Sequence, residues 1–133
     1  MRFMMLVKHS EIPGPPPKEF VDAMMKLDEE AVKSGAMVQS GGLSPIAKST
    51  RVRLSRGQVT AIDGPFTESK EVVGGFAIIE FKSKEEAIEG AKQFMDLHKK
   101  YWPGWEGETE IRQIFGQEDF SQLEKERAET AAR

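Results

Sequence analysis

Gly75-Phe76-Ala77-Ile78-Ile79-Glu80-Phe81-Lys82-Ser83-Lys84-Glu85-Glu86-Ala87 changes its periodicity halfway along, and that change decides the fold. Phe76 and Ile78 would share one face of a strand, with Ala77, Ile79 and Phe81 on the other. Apolar residues on both faces mark a strand covered on both sides. Ser83 followed three residues later by Glu86 is a capping box and starts a helix. That helix turns Ala87, Ala91, Phe94 and Met95 inward and ends before Pro103-Gly104. A strand over 109–115 follows it.

Working back towards the N-terminus, Phe3 to Val7 is apolar at every position and predicts a second doubly covered strand. Pro13, Gly14, Pro15, Pro16 and Pro17 make 10–17 a loop. Pro17 can open a helix, because its missing amide costs nothing in the first turn. Phe20, Ala23, Met24, Leu27 and Ala31 form one stripe of that helix, and Gly35 caps it in the left-handed conformation. Met37-Val38 begins a short strand, interrupted by Gly41-Gly42. Residues 51–55 and 58–62 read as a hairpin around Arg56-Gly57, and a loop runs from Asp63 to Val73. A charged helix with a thin stripe of Phe120, Leu123 and Ala128 ends the chain.

The order is β-α-β, hairpin, β-α-β, helix. It predicts an α+β domain of the ferredoxin-like, split βαβ type with an inserted β-hairpin, an antiparallel sheet and both main helices on one face. The domain spans 1–116, with a C-terminal charged helix over 117–133. Two helices cover one face only, so the other face needs a cover, and a second copy of the same sheet makes a homodimer. The C-terminal helix folding back over that face is the rival.

Composition narrows the function classes. The chain has 133 residues, no cysteine and a net charge of −3. Disulfides, thiol chemistry and cysteine-ligated metals are excluded, and a reducing compartment fits. An acidic balance disfavours nucleic acid as a partner. The apolar run 3–7 is too short for a signal-peptide core and no stretch reaches the length of a membrane span, so the expected location is the cytoplasm, with no membrane partner. No strand–glycine-loop–helix unit or Gly-x-Ser-x-Gly elbow is present, and no cofactor is called for.

The candidate site residues each carry two readings. Asp63, at a strand end before Gly-Pro, is either a general base at a cleft mouth or the acceptor of an Asx-turn. His98 is either its acid/base partner or a surface histidine at a helix C-terminus. His9 ends the first strand and either lines the same cleft or faces solvent. Trp102 and Trp105 wall a pocket for a flat ligand or plug the core. Phe66 would raise the Asp63 pKa, and Glu71, just before the return strand, faces the cleft or is part of a solvated loop. Arg51, Arg53, Arg56 and Arg112 attract an anion if they converge. The two histidines lack metal-ligand spacing, so no metal is assigned.

Asp63-Gly64-Pro65-Phe66-Thr67-Glu68-Ser69-Lys70-Glu71, with Gly74-Gly75-Phe76, closely resembles the signature of the DGPF branch of the YCII-related family. Residues 1–8, 83–87 and 110–113 resemble that family's first strand, second helix and last strand, in its order. The resemblance implies a dimeric α/β-barrel arrangement with two sheets packed face to face. It also implies kinship with small lyase-type enzymes, including a dehydrochlorinase of chlorinated hydroxyquinols with a His–Asp pair. In that pattern a histidine lies near the start of the first helix, whereas Pro15 to Met25 here contains none. Two functions follow as expectations. One is a cofactor-free lyase-type enzyme acting on a small organic acid or phenolic substrate, with Asp63 as base. The other is a non-catalytic dimeric ligand- or partner-binding module with a regulatory role, since relatives are often encoded beside sigma factors.

Overall fold

The structure is a computed structural model and describes residues 1–9, 15–66 and 72–132. Its elements are β1 (Arg2–His9), α1 (Lys18–Lys33), β2 (Met37–Gly42), β3 (Thr50–Ser55), β4 (Gln58–Asp63), β5 (Val72–Glu80), α2 (Lys84–Tyr101), β6 (Gly107–Gln113) and α3 (Gln117–Ala131), with a short 3-10 turn at Ile46–Lys48 before β3. Four strands form one sheet in the order β2-β5-β1-β6, and every neighbouring pair is antiparallel. With the hairpin set aside, the spatial order is second, third, first, fourth, which is the ferredoxin-like split βαβ arrangement.

Register decides which residues meet the helices. Phe3 stands opposite Ile79, and Met5 opposite Ala77 and Ile111. Phe3 and Met5 are buried with Ala87 and Ala91 of α2, and Ala77, Ile79, Phe81 and Ile111 pack around them. Alanine at both helix positions brings α2 close to the sheet. Gly90 has the same effect, because a β-carbon there would lie 2.9 Å from the Phe81 ring.

The opposite face carries Met4, Leu6, Phe76 and Ile78, all half-buried. Two ion pairs bracket this strip, Arg2–Glu80 at 2.6 Å and Lys8–Glu110 at 2.8 Å. The buried cluster that meets α2 lies wholly on the other face. Helix α3 is exposed along nearly its whole length, with Phe120 touching only Phe115 among the aromatic rings.

The hairpin is a separate two-stranded sheet. Arg56 and Gly57 both take positive φ, 51° and 77°, as a two-residue type I′ turn requires. Its root is tied by Gly64 N–H donating to the Ser49 carbonyl at 2.8 Å and Thr50 Oγ1 donating to Asp63 at 2.8 Å.

Local chemistry explains the departures from expectation. The strand β2 is not interrupted at Gly41-Gly42 but continues through both, opposite Phe76 and Gly75. The Phe76 ring fills the space over Gly41, 3.1 Å from where a β-carbon would sit, so glycine here makes room rather than breaking the strand. The strand β6 begins at Gly107, two residues earlier than its β-branched residues suggest. At the start of α2, Ser83 Oγ accepts from Glu86 N–H at 3.1 Å, but the Glu86 carboxylate accepts from Lys82 N–H at 2.6 Å instead of completing the box on Ser83.

Candidate functional site

Between the helix layer and the sheet lies a cavity of about 660 Å³. The strands supply Met5, Val7 and His9 from β1 and Thr109 from β6. Helix α1 supplies Phe20, Met24 and Leu27, and the end of α2 supplies Phe94 and His98, followed by Trp102 and Trp105. The split βαβ topology makes this possible, since it puts both helices over one face of the sheet. The size suits a small organic molecule, and the wall is mostly apolar and aromatic.

His98 is the centre of that wall and is only 4% exposed. Its ring lies 4.0 Å from Trp105, 4.4 Å from Phe20 and 4.8 Å from Phe94, centroid to centroid. Nδ1 is 2.9 Å from the Phe94 carbonyl one turn earlier in α2. A carbonyl can only accept, so Nδ1 carries the proton and Nε2 keeps its lone pair. Burial lowers the His98 pKa from 6.5, and the nearby His9 adds to that, while the Phe94 hydrogen bond acts the other way. The imidazole is thereby held in its neutral form, with the Nε2 lone pair unprotonated.

This lowered pKa makes stability depend on pH. Below pH 6.5 the unfolded chain binds a proton at His98 that the folded chain refuses, so folding free energy falls as pH drops from about 7 towards the folded pKa. Urea denaturation at pH 7.5 and pH 5.5 is expected to show the acid-side loss in the wild type and a smaller loss in His98→Phe.

Two glycines shape the mouth of the cavity. His9 stands opposite Gly107 on β6 and beside the irregularity of β5 at Gly74. A β-carbon at Gly74 would collide with the His9 imidazole, and one at Gly107 would collide with the Trp105 indole and the Lys8 carbonyl. The absence of side chains at both positions lets His9 and Trp105 pack closely over the glycine backbone, with their rings tilted at 54° and their centroids 6.2 Å apart.

Of the residues singled out from the sequence, His9, His98, Trp102 and Trp105 line one cavity. Asp63 and Phe66 do not. The expected pairing of Asp63 with His98 is corrected by the hairpin, which carries Asp63 on a separate sheet, exposed, with its carboxylate accepting from Thr50. The expected Asx-turn is corrected too: the acceptor role is real, but the donor is the Thr50 hydroxyl across the hairpin root. Phe66 lies under the Arg51 guanidinium, 3.7 Å from carbon to ring centre, instead of beside a catalytic carboxyl. The reading of His98 as a surface histidine fails on its burial. Glu71 lies outside the described residues, as does most of the loop after Phe66.

Three lining residues escaped the sequence reading. Asp28 on α1 borders the cavity, and burial raises its pKa. Thr109 places a buried hydroxyl with no hydrogen-bond partner among the described residues. Phe20 was assigned to the helix stripe without its contact with His98. Only strand register could have revealed Thr109, which stands opposite Val7 on the helix side of the sheet. Among the described residues no group of three or more His, Cys, Asp or Glu side chains is placed to hold a metal ion, and no helix is long and apolar enough to cross a membrane.

Comparison with known proteins gives a family and two similar chains. The model of the YCII-related domain matches residues 1–95. An uncharacterized protein of Rhizobium meliloti (strain 1021) is 36% identical over 67 residues, covering 46% of this chain and 54% of that protein. This chain thus spans about half the length of that curated relative. Among solved structures, 5-chloro-2-hydroxyhydroquinone dehydrochlorinase from Burkholderia phenoliruptrix AC1100, in complex with 2,5-dihydroxybenzoquinone, is similar at a TM-score of 0.40 and 15% identity. That match covers 89% of this chain and 97% of the other.

Proposed function

The chain belongs to the YCII-related family, and we propose that it binds a small, flat, weakly acidic organic molecule in its aromatic cavity, with His98 as the proton acceptor. We place it in the DGPF branch on the motif 63–71. The single observation that carries the reading is His98 itself, buried and hydrogen-bonded through Nδ1, in the wall of a cavity large enough for a ligand. A phenol or an enolisable acid would lie against Trp105 and Phe20 with its acidic proton at Nε2. In a lyase-type reaction His98 takes a proton from carbon, the C–H electron pair becomes the new π bond, and the leaving group departs with its own bonding pair. The role of base passes from Asp63 to His98, since only His98 borders the cavity. The engagement of Asp63 with Thr50 favours the alternative, a module that binds the same ligand without turnover.

Isothermal titration with 2-naphthol tests the reading. Saturable binding with a dissociation constant of roughly 100 µM is expected for a fragment of this size. Absence of saturable heat at millimolar 2-naphthol would contradict it.

The same proposal includes a cytoplasmic homodimer joined through the sheet face of Met4, Leu6, Phe76 and Ile78. That strip is apolar, bracketed by ion pairs and covered by neither α1 nor α2, which is the pattern of a self-complementary contact. Light scattering at micromolar concentration is expected to give about twice the 14.9 kDa chain mass, and Ile78→Asp to give a single chain. A wild-type monomer would overturn the dimer.

A further inference from the structure

We propose that Thr109 is a specificity-determining residue whose hydroxyl binds a second oxygen of the ligand, so that the cavity prefers flat molecules with two separated oxygen functions over those with one. This inference rests on the ligand reading above and deepens it. The Thr109 Oγ1 is buried and lacks a hydrogen-bond partner among the described residues. Such a hydroxyl destabilises the empty protein, because its desolvation is not offset by a hydrogen bond. Its useful role is to meet a polar atom brought in from outside.

Its position separates it from His98. Thr109 comes from β6, across from Val7, on the floor of the cavity, whereas His98 comes from the last turns of α2 in the opposite layer. His9 lies two residues beyond Val7 on the same face of β1, diagonal to Thr109 at a distance of about 7–8 Å in such a ladder. Floor and wall therefore present distinct polar points, Oγ1 of Thr109 and Nε2 of His98. A molecule with one oxygen satisfies His98 and leaves Thr109 unpaired. A molecule with two satisfies both. The hydroxyl can donate to a carbonyl or phenolate and accept from a hydroxyl, so the class is defined by oxygen placement and not by protonation state.

The experiment compares 2-naphthol with the dihydroxynaphthalene isomers by isothermal titration against wild type, Thr109→Val and Thr109→Ser. The isomers differ in where the two oxygens sit, so the series samples a range of separations between them. The best isomer is expected to bind wild type about tenfold more tightly than 2-naphthol. Thr109→Val, which keeps the shape and loses the hydroxyl, should abolish that preference, so that the best isomer and 2-naphthol bind this variant equally, while Thr109→Ser should retain it. A merely structural hydroxyl is excluded by melting. Without ligand, Thr109→Val is expected to melt up to about 3 °C higher, because it removes an unsatisfied polar atom. A lower melting temperature would show that Thr109 serves the fold and would overturn the inference. A preference that survives Thr109→Val, or no preference for any isomer, overturns this inference alone. Failure of every naphthol to bind overturns it together with the ligand reading.

Discussion

His98→Phe is expected to fold normally, to bind 2-naphthol about tenfold more weakly and to lower any turnover of an acidic substrate by about 10²–10⁴-fold. Phenylalanine fills nearly the same space among Phe20, Phe94 and Trp105, so the aromatic packing that holds the cavity open survives. What is removed is the pair of imidazole nitrogens, Nε2 assigned to the ligand and Nδ1 bonded within the helix. One consequence inside the helix is small, since the Phe94 carbonyl loses its bond from Nδ1 but lies in an α2 turn. Affinity is measured by calorimetry at pH 7.5 and stability by urea denaturation. A variant that unfolds would show that His98 serves the core, and a variant that binds as tightly as wild type would show that Nε2 does not meet the ligand.

The second large effect concerns the fold. Phe3→Ala is expected to cost about 3–5 kcal/mol, the usual range for truncating a buried phenylalanine. Phe3 is 2% exposed, meets Phe81 edge-on at 6.2 Å and pairs with both Ile79 and Gln113 in the centre of the sheet. Small domains hold about 5–15 kcal/mol in total, so the loss takes a large share of it. Thermal melting should show a drop of roughly 10–20 °C. A loss under about 1 kcal/mol would mean that the contact between sheet and α2 is not the principal core.

Element type was legible because each long element has one clear periodicity. The doubly apolar β1 and β5, the stripe of α1 and the Ser83 start of α2 all agree with their neighbours in the sheet, and that agreement gives the ferredoxin-like order. Boundaries were less legible where glycine plays two parts. Gly41 looks like a break in the sequence, yet it sits in a strand because the Phe76 ring of the neighbouring strand occupies the space of its missing side chain. Such a reason is tertiary and leaves no local trace.

The candidate site divides in the same way. His98, Trp102 and Trp105 are close in sequence and share a helix end, so their grouping could be read. The link to His9 and Phe20 depends on how α1 and α2 lie over the sheet. Asp63 misled because Asp-Gly-Pro-Phe is a conspicuous stretch, while its bond to Thr50 is set by the hairpin register that places the two residues opposite each other. Thr109 carries no signal at all until β6 is paired with β1.

The most direct measurement is a crystal structure of the protein grown with 2-naphthol. The predicted result is the ring system between Trp105 and Phe20 with its oxygen within hydrogen-bond distance of His98 Nε2. An empty cavity at saturating ligand, or a naphthol bound elsewhere with Nε2 of His98 satisfied by the protein, would contradict the assignment of this cavity as the functional site.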